Sequence, residues 1–149
     1  MKRVTINDFI KNPNRITVKI YETNTGHITN SAWMVLKSHM PMNFHNKIKS
    51  IIDDGVPNGQ TILDDMAERK FYEVKLIDPK DLERDDITAI GYQCEKFQVF
   101  FTIEYILYLT KYIRKLKIMA SAPDEPTKLI TQDGAFGDVE FGILMPYRV

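Results

Sequence analysis

The chain has 149 residues, with 20 Lys plus Arg against 20 Asp plus Glu. That length suits one domain able to bury roughly 70% of the surface its unfolded chain exposes, and the balanced charge leaves no overall field for nucleic acid, so any DNA contact must come from local clustering. One cysteine, Cys94, excludes an internal disulfide. Met1-Lys2-Arg3 lacks the apolar run of a signal peptide, and no stretch of about 18 apolar residues follows; a cytoplasmic protein without a membrane partner is expected.

Ile16 to Glu22 alternates Ile16, Val18 and Ile20 with Thr17, Lys19 and Tyr21, the period of a half-buried strand. Thr23-Asn24-Thr25-Gly26 reads as a hairpin turn, because Asn and Gly tolerate positive φ. The stretch after it, through Trp33 to Leu36, is expected to return as the partner strand and to end at Pro41. Asn43 can cap a helix whose apolar positions Phe44, Ile48, Ile51 and Ile52 share one face, with Lys47 and Lys49 flanking the stripe and Gly55 as the stop. Val56 to Asp65 reads as irregular.

Strands are expected at Phe71 to Ile77, Ile87 to Tyr92 and Phe97 to Phe101, with Asp78 to Asp86 as a charged turn; the short links imply an antiparallel meander. Thr102 can cap a second helix running to about Arg114. Three more strands follow at Leu116 to Ala120, Lys128 to Thr131 and Val139 to Met145, separated by Pro123, Pro126 and the Gly134 to Gly137 turn. The fold class is therefore α+β, with two helices packed on antiparallel sheet. Residues 1–42 form an N-terminal β-hairpin segment, and residues 43–149 form the main domain.

On a helical projection, Ile103, Ile106, Leu107, Thr110 and Ile113 share one face, and Tyr105, Tyr108 and Tyr112 align almost opposite. Lys111, Arg114 and Lys115 border the tyrosine stripe. Two readings fit. The helix lies between the core and a neighbouring chain, with tyrosine hydroxyls reaching water, or its tyrosine and lysine face lies along a nucleic-acid backbone.

Catalytic and metal chemistry find little footing. His27, His39, His45 and Cys94 offer no pair at metal-ligand helical spacing. Asp64-Asp65 and Asp85-Asp86 are adjacent acids of the kind a metal-dependent nuclease uses in pairs, but neighbours in a strand face opposite ways. Gly134-Ala135-Phe136-Gly137 lacks the following helix of a phosphate loop. No catalytic residue, metal ligand or cofactor is expected.

From Ile87 to Val149 the chain resembles the third domain of bacterial DNA sliding clamps, the ring-shaped processivity factors of replicative polymerases. The strand Phe97-Gln98-Val99-Phe100-Phe101 leads into Tyr105-Ile106-Leu107, where the family has an apolar strand and a Tyr-Leu-Leu helix start. Lys115-Leu116-Lys117-Ile118 runs to a proline-bearing turn, and Lys128-Leu129-Ile130 precedes an acidic turn with glycine. The chain ends Ile143-Leu144-Met145-Pro146-Tyr147-Arg148-Val149, close to the family's Met-Pro-x-Arg ending.

The resemblance implies a DNA-clamp-like fold and a replication accessory role without enzymatic activity, in a homo-oligomer that contacts duplex DNA non-specifically. It assigns Lys47, Lys49, Lys111 and Lys115 to the DNA-facing surface; Arg114, Tyr105, Tyr108 and Tyr112 adjoin that surface. It assigns Met145, Pro146, Tyr147 and Arg148 to a pocket for peptides of a DNA polymerase or other partners. Family subunits carry three such domains, whereas this chain has room for one domain plus a hairpin. A small DNA-binding or replication-modulating protein that uses the scaffold without forming a ring is the alternative.

Overall fold

The computed structural model describes residues 21–29, 33–39, 59–133 and 137–147. They divide into two compact units, Met1–Arg69 and Lys70–Val149. Both are mixed α and β, and every strand pairing within them is antiparallel.

In the first unit, β1 (Tyr21–Glu22), β2 (His27–Thr29) and β3 (Trp33–Leu36) form a meander, followed later by helix α1 (Gly59–Ala67). The expected turn is present, with Gly26 at φ 79°, a left-handed angle that glycine adopts without steric cost. The return strand differs from expectation. His27–Thr29 and Trp33–Leu36 are two strands paired with each other, with Ile28 opposite Val35. Gly59 to Asp65, expected to be irregular, lies in α1. The proposed helix from Asn43 to Gly55 is outside the described residues.

The β1–β2 turn docks onto the start of α1 through side chains. Asn24 Oδ1 accepts from the Gly59 N–H at 3.0 Å, satisfying one of the donors a helix start leaves open. Behind it, Thr23 Oγ1 accepts from the His27 N–H at 3.1 Å, and the Thr25 hydroxyl lies 2.8 Å from both Thr23 Oγ1 and His27 Nδ1. His27 is buried, and that burial lowers its pKa below the ordinary 6.5.

The unfolded chain therefore binds more protons than the native one as pH falls through 6.5, so the contribution is complete above that value and is lost on passing through the lower native pKa. Urea unfolding followed by Trp33 fluorescence should show stability falling between about pH 7 and about pH 5. In His27→Gln the same interval should be flatter. Identical pH profiles for the two proteins would contradict this.

The second unit is a six-stranded sheet in the order β9-β8-β7-β4-β5-β6, built from β4 (Tyr72–Leu76), β5 (Ala89–Gln93), β6 (Gln98–Thr102), β7 (Lys117–Ala120), β8 (Thr127–Asp133) and β9 (Gly137–Leu144). Helix α2 (Ile103–Tyr112) lies between β6 and β7 in sequence and packs on β5 and β6. Cross-strand register sets the core: Ile90 faces Phe101, Tyr92 faces Val99, Val74 faces Ile118, and Ile118 faces Leu129. All seven are buried, at roughly 1.5–3 kcal/mol for each fully buried aliphatic or Phe side chain. In β9 a register shift between Leu129 and Ile130 leaves Phe141 as an extra residue, so this fully buried ring enters the core without following the strict alternation of the strand.

The sheet curls. Tyr147, just past β9, donates its N–H to Phe100 O on the outer edge of β6 at 2.7 Å. Strands at opposite ends of the order are thus brought together by the C-terminal segment. The charged stretch from Asp78 to Asp86 holds a 3-10 helix, Pro79–Glu83, with Asp78 accepting from the Lys80 N–H at 3.0 Å.

Candidate functional site

Helix α2 begins where its sequence suggests, for a different reason. Thr102 makes no side-chain capping bond; the Ile103 N–H instead donates to Thr88 O at 3.0 Å. The buried stripe is Ile103, Tyr105, Ile106, Leu109 and Ile113. This corrects the projection in four places, the first being Leu107, which is only half-buried. Leu109 is core, Thr110 is exposed and returns its hydroxyl to Ile106 O at 2.8 Å. Tyr105, placed by sequence on the outward face, is only 8% exposed and belongs to the apolar side. The side chains of Tyr108 and Tyr112 fall outside the described set, as do Lys47, Lys49 and Arg148.

Lys111 is exposed on the last turn of α2, where a cation also favours the helix dipole. The chain then leaves the helix through Arg114 and Lys115, both exposed. Lys115 sits at φ 49°, an uncommon conformation for a side-chain-bearing residue. The turn is tied down from below: Thr131 on β8 donates its hydroxyl to Arg114 O at 2.7 Å. Three cationic residues thus project from one short, anchored segment.

Two further lysines form ion pairs. Lys117 reaches Asp138 at 3.0 Å, which raises its pKa through that hydrogen bond and charge, and Lys128 reaches Glu140 at 3.3 Å. The adjacent acids are divided among separate partners. Asp64 accepts from Gln60, Asp65 pairs with Arg69 at 2.9 Å, and Asp86 takes a two-pronged bond from Arg84, which holds its carboxyl below the usual range. Among the described residues no group of three or more His, Cys, Asp or Glu could hold a metal ion, and no helix is long and apolar enough to cross a membrane.

At the C-terminus, β9 ends at Leu144. Pro146 is buried, Met145 is half-buried and Tyr147 is 38% exposed. The Tyr147 N–H on Phe100 O ties the end of the segment to β6.

A different feature had no sequence signal. β4 is shared unequally: Tyr72 to Val74 pair with β7, and only Lys75 and Leu76 pair with β5, at Gln93 and Tyr92. Where β5 turns away, an open cleft of about 890 Å³ remains, lined by Phe71, Tyr72, Glu73, Lys75 and the Gln93 to Lys96 turn. Comparison of the chain with family models, with curated proteins and with solved structures found no match.

Proposed function

We propose that the protein is a non-catalytic binding module of the sliding-clamp type, which contacts duplex DNA without sequence preference and receives peptides of a polymerase or other partner at its C-terminal segment. The observation that carries the reading is the anchored basic turn, Lys111, Arg114 and Lys115 at the end of α2, with the Arg114 carbonyl fixed by Thr131. Phosphate contacts need cations in a set position and no particular chemistry around them. Lys117 and Lys128, with ammonium groups 3.0 Å and 3.3 Å from Asp138 and Glu140, would each have to give up a carboxylate to bind phosphate.

The strand–helix–strand–strand–strand order from β6 to β9 and the Met145-Pro146-Tyr147 strip beside β6 favour the clamp-like version over a freestanding DNA binder. Assembly into a homo-oligomer belongs to the same proposal. Tyr105 has no part in the DNA surface because its ring is core.

Fluorescence anisotropy on a short duplex tests this. With about three phosphates neutralised, log affinity should fall against log salt with a slope of roughly −2.7. Changing Lys111, Arg114 and Lys115 together to Glu should abolish retention at low salt, while Lys117→Ala should leave it nearly unchanged. Retention by the triple variant would remove α2 from the DNA surface.

A further inference from the structure

The cleft beside β4 has a main-chain edge as well as side-chain walls. The Ile77 N–H donates to Gly91 O at 3.0 Å, so the backbone groups of residue 77 point toward β5. Period-two alternation puts those of Lys75 and Glu73 on the same side. Lys75 meets Gln93, the last residue of β5, and the hairpin then closes with the Cys94 N–H on Phe97 O at 3.0 Å. Among the described residues no strand continues opposite Glu73 on that side. Its N–H and carbonyl face the cleft.

The side chains around that edge have a definite chemistry. Tyr72 lies with Lys70 Nζ 5.4 Å and Lys96 Nζ 5.3 Å from its ring centroid, and Phe97 meets it edge-on at 6.4 Å. Phe71 carries Lys128 Nζ at 4.4 Å. Lys75 approaches Glu73 at 4.0 Å, and Glu95 stands on the exposed turn.

We propose that this edge receives an acidic, extended peptide segment, which adds as a short strand to β4 at Glu73 and places a carboxylate between the Lys70 and Lys96 ammonium groups beside Tyr72. Strand addition supplies affinity through main-chain bonds, and the side-chain walls supply selection. The lysines account for the acidic preference. A single-stranded nucleic acid fits less well, because it has no main-chain amide and carbonyl groups to match a strand edge. The site is separate from the basic turn of α2 and from the C-terminal segment.

The probe is a synthetic peptide of alternating Glu and Val, with an alternating Lys and Val peptide and oligothymidylate as comparators, read by fluorescence anisotropy on the full chain. The Glu–Val peptide should bind and the other two should not. Glu73→Pro removes the N–H that points into the cleft and should abolish binding, while Glu73→Ala, which keeps that N–H, should bind at least as well as the parent. The double variant Lys70→Glu with Lys96→Glu should weaken binding at least tenfold. Circular dichroism melting shows whether Glu73→Pro folds; should it unfold, N-methylation of the probe's backbone replaces it as the main-chain test. Equal binding by the lysine variant, equal binding of the N-methylated probe, preference for oligothymidylate, or no binding of the Glu–Val peptide would each overturn the proposal.

Discussion

Phe101→Ala is expected to destabilise the second unit by about 3–5 kcal/mol, the range for truncating a buried phenylalanine where the surroundings collapse only partly. Phe101 is fully buried on β6, directly opposite Ile90, and meets the Tyr92 ring edge-on at 5.5 Å and 77°. Area alone would give a smaller loss; the cavity and the lost ring contact add to it. Phe100, one residue earlier, points to the other face, where its ring covers Gly91, and it is only half-buried. Phe100→Ala should therefore cost clearly less, about 1–2 kcal/mol.

A second readout comes from Tyr92. Burial pushes its hydroxyl up to about 12, and a cavity beside the ring that admits water should bring it back toward the ordinary value. Denaturant unfolding and an absorbance titration of tyrosine together check the assignment. If Phe100→Ala proved the costlier change, the strand register would be wrong by one residue, since a slip of one exchanges the two faces.

In the second unit β4, β6 and β7 were legible because each is short and alternates cleanly, and β5 because a short link joins it to β6. Ala89–Gln93 and Gln98–Thr102 fall within two residues of the expected spans. Trp33–Leu36 was harder: Trp33, Met34 and Val35 are all buried, which erases the alternation that would have marked a separate strand. Helix α1 was missed because its interior offers little apolar signal. Ile62 is 42% exposed, and only Gly59 and Met66 are buried. A helix this short is held by tertiary contacts more than by propensity, and its partner Asn24 lies 35 residues earlier.

The phase of α2 was misread because the projection weighted aliphatic residues and placed tyrosines outside. Tyr105 can bury its ring, and Leu109 then marks the centre of the stripe. The basic stretch was visible as a cluster of cations, but the ion pair of Lys117 was not. Lys117 and its partner Asp138 are separated by 21 positions, and only the β7–β8–β9 pairing brings them together. The divided pairing of β4 likewise has no local signature, because Tyr72 to Leu76 alternates as an ordinary strand would.

Gly59→Ala is expected to destabilise the first unit, although helix propensity argues the opposite. Replacing glycine by alanine in a helix favours folding by roughly 1 kcal/mol. At Gly59, however, an added Cβ would run into the Thr25 hydroxyl and approach Thr23 Cβ and Oγ1 at 3.2 Å. Thr25 can escape by rotating its hydroxyl away, but that hydroxyl is 2.8 Å from both Thr23 Oγ1 and His27 Nδ1. Rotation forfeits both interactions, at about 1 kcal/mol each, and leaves His27 Nδ1 without the Thr25 hydroxyl in a buried site. If the threonine stays, the turn must move off the helix start and the Asn24 bond to the Gly59 N–H lengthens. Either route outweighs the propensity gain, and the net loss should be about 1–2 kcal/mol. Trp33, the chain's one tryptophan and a β3 residue, reports on this unit in urea unfolding. Thr25→Ala removes the nearest obstacle together with its hydrogen bonds, so in that background Gly59→Ala should become neutral or stabilising. A double-mutant cycle measures the difference. If Gly59→Ala stabilises the parent protein, or costs the same in both backgrounds, the turn does not pack against the start of α1 as described.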